Sequence, residues 1–201
     1  LPYIFYNNIL KYSPAGFDAV IISTPPLPLT KIGLMMKKKF KSKFILFVQD
    51  IYPQSLVDIQ AMKNKTLIKF FERITQNAYN NADLITSHTE GNRDYIVKNN
   101  KVDEKKIFYL PNWIELKDFK KKYKINKYRK KYKLEKKFIF LFAGVIGLGQ
   151  GIEKLISALT QINKMPTDCS FLFVGEGSEK NKIEKIVNNS ECENIVFKSF
   201  V

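Results

Sequence analysis

Residues Phe138 to Ala158, FIFLFAGVIGLGQGIEKLISA, constrain the fold more than any other stretch. Phe138 to Ala143 is apolar without alternation, the pattern of a strand covered on both faces of a parallel sheet. Gly144, Gly147, Gly149 and Gly151 then allow a tight turn and close approach of a ligand to the backbone. Ile152, Leu155, Ile156 and Leu159 resume at helical spacing, so the segment reads as strand, loop and helix, the helix packing back on the sheet. The start of such a helix offers unpaired N–H groups and the positive end of its dipole, which suit a phosphate. Any doubly wound α/β protein also uses glycines at such turns, so the loop by itself leaves both readings open.

The rest of the chain repeats the strand-to-helix alternation. Ile4 to Tyr12 reads as the end of a helix closed by Ser13, Pro14 and Gly16, and Asp18 to Ser23 as a buried strand. Thr24, Pro25, Pro26 and Pro28 follow at the C-terminal edge of that strand, where open α/β sheets place ligands; the prolines serve equally well to stop the strand. A helix over Leu29–Phe40 ends in Lys37, Lys38, Lys39, Lys41 and Lys43. These are either a solvated helix end or a cluster facing an anionic membrane. Phe44 to Val48 is the second strand, and Asp50 beyond it is placed for catalysis or for capping the next helix. Asn64 caps a helix through about Asn80, with Leu67, Ile68, Phe71, Ile74 and Ala78 as its apolar stripe. Strands at 83–86 and 107–110 flank a helix at 90–99, and the order β, α, β, α, β, α, β implies a parallel sheet. Residues 170–174, 178–188 and 194–198 read as strand, helix and strand after the glycine loop.

Between Lys117 and Lys137 the charge changes abruptly: eleven Lys and one Arg face only Asp118 and Glu135. Such a window reads as a solvated connector with a short helix, giving a first α/β unit over 1–116, a connector over 117–137 and a second unit over 138–201. Leu1 in place of Met, and a last strand with nothing after it, read as a chain cut at both ends. Net charge is +15, yet only Arg73, Arg93 and Arg129 of its 34 basic residues are arginine. That depletion argues against sequence-specific nucleic-acid recognition and favours an anionic membrane surface as the basic partner. No apolar run reaches the roughly 18 residues of a membrane span. Cys169 and Cys192 suggest neither disulfide nor metal site, and the single histidine, His88, reads as a loop residue or a catalytic base.

Six segments together carry a family resemblance: STPPLP at 23–28, QDIYPQS at 49–55, ADLITSHTEGNRDYI at 82–96, IFYLPNW at 107–113, FLFAGVIGLGQGIEKLISA at 140–158 and FLFVGEGSEK at 171–180. In order and spacing the chain resembles the retaining family-4 glycosyltransferases of GT-B fold, and among them the N-acetyl-L-fucosaminyl transferases of surface-polysaccharide assembly. The resemblance implies an α/β architecture of two Rossmann-like domains, each partly present, with the reaction in the cleft between them. It implies transfer of a sugar from a nucleoside diphosphate sugar, a UDP-N-acetyl-deoxyhexosamine, to a glycan or undecaprenyl-type lipid-linked acceptor, as in O-antigen or capsule synthesis. The anomeric configuration would be retained, with no tightly bound cofactor and no metal.

Carried over residue by residue, the resemblance sets Gly144, Gly147, Gly149, Gln150 and Gly151 against the donor diphosphate, and Gly175, Glu176 and Gly177 near the nucleotide. Thr24, Pro25 and Pro26 would lie on the acceptor side, with Asp50 and His88 as candidate catalytic groups. Many members hold the diphosphate with Arg and Lys where this chain has Val145 and Gln150. Donor affinity would then rest on backbone N–H groups, on Lys154, or on residues outside the chain, and the fragment alone is expected to be inactive. The implied setting is cytoplasmic, peripheral on the inner face of the plasma membrane. Two other readings stay open: a degenerate, non-catalytic binding subunit, and an NAD-type oxidoreductase. The second has G-x-G-x-G at Gly147, Gly149 and Gly151, with Ile152 where the dinucleotide fingerprint needs its last glycine.

Overall fold

The structure, a computed structural model, describes residues 2–119, 127–162, 166–190 and 192–199. Its contacts divide the chain into two compact units, Leu1–Ile114 and Glu115–Val201.

The first unit runs α1 (Pro2–Tyr12), β1 (Ala19–Thr24), α2 (Thr30–Phe40), β2 (Lys43–Val48), α3 (Gln54–Asp58), α4 (Lys65–Asn81), β3 (Leu84–Ser87), α5 (Glu90–Asn100) and β4 (Ile107–Tyr109). All four strands pair in parallel in the order β1-β2-β3-β4. The α/β expectation holds, and boundaries fall within a residue or two of those read from the sequence. Alternation sends Phe44, Leu46, Val48, Ile85 and Ile107 to one face, where they pack with Ala78 and Tyr79 of α4 and Ile96 of α5. Tyr6, Ile32 and Met36 form a second cluster joining α1 to α2. Asn64 caps α4 as expected, its Oδ1 accepting from the N–H groups of Thr66 and Leu67 at 3.0 Å each. Leu67, expected in the buried stripe, is exposed, because α4 buries residues in its C-terminal half, Thr75, Ala78 and Tyr79.

One carboxylate ties helix ends to the sheet in this unit. Asp83 Oδ2 accepts from the Phe44 N–H at 2.8 Å and from Lys37 Nζ at 2.9 Å, with Lys43 Nζ 4.0 Å from Oδ1. Lys37 also donates to the Asn81 carbonyl, and Lys106 to those of Tyr79 and Asn80, so cations close the C-terminal end of α4. Of the five lysines read as a solvated or membrane-facing cluster, Lys37 is therefore engaged inside the unit, whereas the exposed Lys43 comes no nearer than 4.0 Å to Asp83. Burial pushes the Asp83 pKa up, but the Phe44 N–H and the Lys37 ammonium outweigh it and hold the group below its ordinary value.

The second unit runs α6 (Lys127–Lys131), β5 (Phe138–Ala143), α7 (Ile152–Leu159), β6 (Cys169–Val174), α8 (Lys180–Asn188) and β7 (Ile195–Lys198). Its strands are parallel in the order β5-β6-β7. Phe173 and Ile195 pack with Ile152, Ile156 and Leu159 of α7 and Ile183 and Val187 of α8. Stacked rings, Phe140 on Phe171 at 4.8 Å and Phe173 on Phe197 at 5.1 Å, extend this face across the three strands. Leu155 is exposed, so the inward stripe of α7 is narrower than its sequence suggests. Full coverage of β5 is also not observed: it borders the described sheet, and Phe138, Phe140 and Leu141 are exposed. Of the Lys-rich window at 117–137, residues 120–126 lie outside the described residues.

A folded pKa below the unfolded one gives stability that is present above the unfolded value, near 3.9, and lost as pH falls through the folded value. Asp83→Asn is therefore expected to cost about 1–2 kcal/mol at pH 7. The gap to the parent should close as the parent's carboxylate protonates below about pH 4, measured by urea unfolding across pH.

Candidate functional site

The glycine loop lies at the C-terminal edge of the second sheet and is fastened to its neighbour by backbone alone. Gly144 N–H donates to the Val174 carbonyl at 3.0 Å and Ile146 N–H to that of Glu176 at 2.9 Å. The Ile146 carbonyl in turn accepts from Glu179 N–H at 3.1 Å. Ile146 is fully buried, an apolar plug beneath the loop. A Cβ on Gly175 would overlap the Gly144 carbonyl oxygen, and one on Gly177 would overlap the backbone of Ile146. These two glycines are therefore required by the loop's own packing, whatever else they contact.

Past that junction the loop is largely exposed. A 3₁₀ turn at Leu148–Gln150 leads to Gly151, whose φ of +64° is left-handed and suits glycine, and α7 starts at Ile152. Among the described residues, the N–H groups of Val145, Gly147, Leu148 and Gly149 have no acceptor, and the first turn of α7 adds its own free donors. No side chain lies within 4 Å of a Cβ built on Gly149 or Gly151, so the backbone there is open to approach. The loop's exposed side chains are apolar, Val145 and Leu148. Gln150 and Lys154 are exposed nearby in the chain, and Lys154 has no ion-pair partner among the described residues.

Glu176 accepts a hydrogen bond from Lys180 at 2.7 Å, and Lys180 also donates to Ser199. The Lys180 and Ser199 hydrogen bonds hold the Glu176 carboxyl below its ordinary pKa. Lys180 was not singled out from the sequence, although the i, i+4 spacing to Glu176 was visible there.

At the C-terminal edge of the first sheet, register aligns Thr24, Val48 and Ser87. The Gln49 N–H donates to the Thr24 carbonyl, and His88 Nδ1 stands 3.5 Å from the Val48 carbonyl, so Thr24, Asp50 and His88 lie on adjoining strand ends. Asp50 is exposed and lines a small hollow with Thr24, Tyr52, Thr75 and Tyr79. It does not cap α3, whose N-cap is Pro53. Pro25 and Pro26 are exposed beside buried Thr24. Buried Thr86 Oγ1 has no partner, and nothing in the sequence distinguished it from a strand residue. Trp113 is exposed and meets Phe47 edge-on at 6.3 Å. Among the described residues no group of three His, Cys, Asp or Glu side chains is placed to hold a metal ion, and no helix is long and apolar enough to cross a membrane.

Residues 124–201 match the family described as Glycosyl transferases group 1. The glycine loop and the turn that holds it thus lie inside the matched segment. The chain is 23% identical over 177 residues to the probable glycosyltransferase WbjE of Pseudomonas aeruginosa, covering 87% of this chain and 44% of that protein. It is 25% identical over 189 residues to the putative colanic acid biosynthesis glycosyl transferase WcaI of Escherichia coli K12, covering 90% and 45%. The chain therefore spans less than half the length of these relatives. Its fold is similar to that of Anabaena HepE in complex with UDP and glucose, with a TM-score of 0.74 at 14% identity over 98% of this chain and 51% of that one. Sucrose-phosphate synthase of Thermosynechococcus elongatus gives a TM-score of 0.74 at 17% identity over 98% and 49%. The fold expectation, α/β of the GT-B glycosyltransferase type, is borne out.

The interlock of the two turns makes a discriminating pair of substitutions. Gly177→Ala is expected to cost about 1–3 kcal/mol, because backbone must move to admit the methyl group. Gly149→Ala, with open space around it, should stay within about 0.5 kcal/mol of the parent by denaturant titration.

Proposed function

We propose that this chain belongs to a glycosyltransferase that moves a sugar from a nucleoside diphosphate sugar to a glycan or lipid-linked acceptor in surface-polysaccharide synthesis, and that its second unit holds the donor. The observation that carries the reading is the exposed glycine loop, with unpartnered N–H groups at Val145, Gly147, Leu148 and Gly149, inside the segment that matches glycosyl transferases. In such a transfer the bond from the anomeric carbon to the diphosphate breaks, and the acceptor hydroxyl oxygen bonds that carbon as its proton departs. Charge grows on the leaving diphosphate, and fixed N–H groups beside the start of a helix stabilise it with no reorganisation at the moment of reaction.

The finer reading is transfer with retention, independent of metal, from a UDP-N-acetyl-deoxyhexosamine donor, in the cytoplasm at an anionic membrane. It assigns the diphosphate to Gly144, Gly147, Gly149, Gln150 and Gly151 with Lys154, and the nucleotide to Gly175, Glu176 and Gly177. Thr24, Pro25 and Pro26 stand on the acceptor side, with Asp50 and His88 as candidate proton-handling groups. Relatives named for glycosyl transfer and polysaccharide synthesis, and a similar fold solved with UDP and glucose, support this reading. Exposed Val145 and Leu148, apolar where a diphosphate needs cations, favour one second reading, a non-catalytic subunit that no longer binds donor tightly.

Thermal unfolding with UDP, GDP, a UDP-N-acetyl sugar or NAD separates the two. A ligand at about 100 times its dissociation constant adds roughly 2.7 kcal/mol, so one nucleoside diphosphate series should raise Tm by several degrees. Gly149→Ala should remove that shift while leaving the unliganded Tm in place. No shift with any nucleoside diphosphate would favour the non-catalytic reading, and a shift with NAD alone would overturn both.

A further inference from the structure

The donor reading leaves one ionic group of the second unit without a task. Lys180, in the first turn of α8, has the least exposed side chain of the described ion pairs, at 12%. Its Nζ donates to Glu176 Oε1 at 2.7 Å and to Ser199 Oγ at 3.2 Å. The Lys180 N–H bonds the Gly177 carbonyl at 3.3 Å, and the Gly175 N–H bonds that of Lys198 at 2.9 Å. The turn after β6, the start of α8 and the end of β7 are thereby closed into one clasp.

The strand order sets the ends of β5, β6 and β7 side by side, roughly 5 Å apart. The glycine loop follows β5, Glu176 follows β6 and Ser199 follows β7. The Glu176 carbonyl accepts from the Ile146 N–H of the loop, whereas its carboxylate meets Lys180 and Ser199 on the side of β7. A nucleotide whose diphosphate rests on the loop and which runs along this edge therefore brings its base, the end farthest from the phosphates, to that carboxylate.

A negative side chain beside a site for an anion costs affinity unless the ligand donates a hydrogen bond to it. The Glu176 side chain is 52% exposed, and Lys180 and Ser199 take only part of a carboxylate's capacity of about four hydrogen bonds. The same two partners keep the group ionised, so it accepts and does not donate. Such a group suits a base with a ring N–H beside its carbonyl, as in uracil and guanine. It opposes a base with a lone pair at that place, as in cytosine and adenine.

We propose that Glu176, held in place by Lys180, selects the nucleobase of the donor by accepting the ring N–H of uracil or guanine, and so rejects cytosine and adenine. Glu176 touches the ligand, and Lys180 is a positioning residue that acts through it. The inference rests on the donor reading and narrows the donor to two bases.

Dissociation constants of the chain for UDP, GDP, CDP and ADP, read from the amide shifts of Gly147 and Gly149, test it. UDP or GDP should bind about 10- to 100-fold more tightly than both CDP and ADP. In Glu176→Gln, Lys180 holds the amide oxygen and leaves the NH2 group, a donor that suits cytosine, so the preference should vanish or invert. Lys180→Gln should lower the preference to about threefold or less, and Lys180→Arg should restore it. Lys185→Gln, which removes an exposed cation farther along α8, should keep the preference of the parent. Loop amides that move with none of the four nucleotides would sink the donor reading and this inference with it. Equal affinity for all four would leave the donor reading standing and overturn the inference, as would a parental preference kept by Glu176→Gln or Lys180→Gln. A Glu176→Gln chain that keeps its base preference but loses a preference for UDP over 2′-deoxyuridine diphosphate would assign the carboxylate to ribose and overturn it too.

Discussion

The second unit depends on a backbone-to-backbone contact that admits no side chain. Gly144 to Ile146 and Gly175 to Gly177 cross so closely that a single methyl group on either later glycine would strike a carbonyl oxygen or the backbone behind it. Once the two turns are seated, the Ile146 carbonyl and N–H are both occupied by the second turn, and Ile146 itself seals the core beneath. The loop beyond Ile146 is then anchored at one end by this junction and at the other by α7. Four N–H groups around this junction, at Val145, Gly147, Leu148 and Gly149, are left without acceptors on a backbone that is held from both sides.

The first unit solves a comparable problem with charge. Parallel strands deliver their C-terminal ends to one edge, which works only if the helices that return the chain are fixed at the opposite end. Asp83 and the lysines around it do this, joining the end of α4 to the start of β2 and the end of α2. The cations are thus divided by role. Some close helix ends inside the unit, and others, such as Lys31 and Arg73, stand beside exposed apolar side chains.

Periodicity made the order of elements legible, because strand and helix patterns are local. Asn64 as a cap and Gly151 before α7 were likewise readable from neighbours in sequence. What escaped was whatever depends on distant partners. Phe138 to Ala143 has the composition of a covered strand, yet only the sheet order shows β5 at the border of the described sheet, with Phe138 and Leu141 exposed. Leu67 fits the apolar stripe of α4, but the helix is buried chiefly in its later turns. Asp50 looked equally suited to capping, and only the path of the chain through Pro53 removes that role. Gly175 and Gly177 read from sequence as candidates for contact with a nucleotide, whereas their steric duty toward Gly144 and Ile146 depends on partners distant in the chain.

The proposed donor site rests on one contact, a diphosphate received by the unpartnered N–H groups of the glycine loop. Amide NMR of the isotopically labelled chain, titrated with UDP, addresses it most directly. The account predicts that the largest shifts fall on Val145, Gly147, Leu148, Gly149 and Ile152, with Gly144 and Ile146, already committed to Val174 and Glu176, moving less. Shifts confined to other parts of the chain, with the loop amides unmoved at saturation, would contradict it.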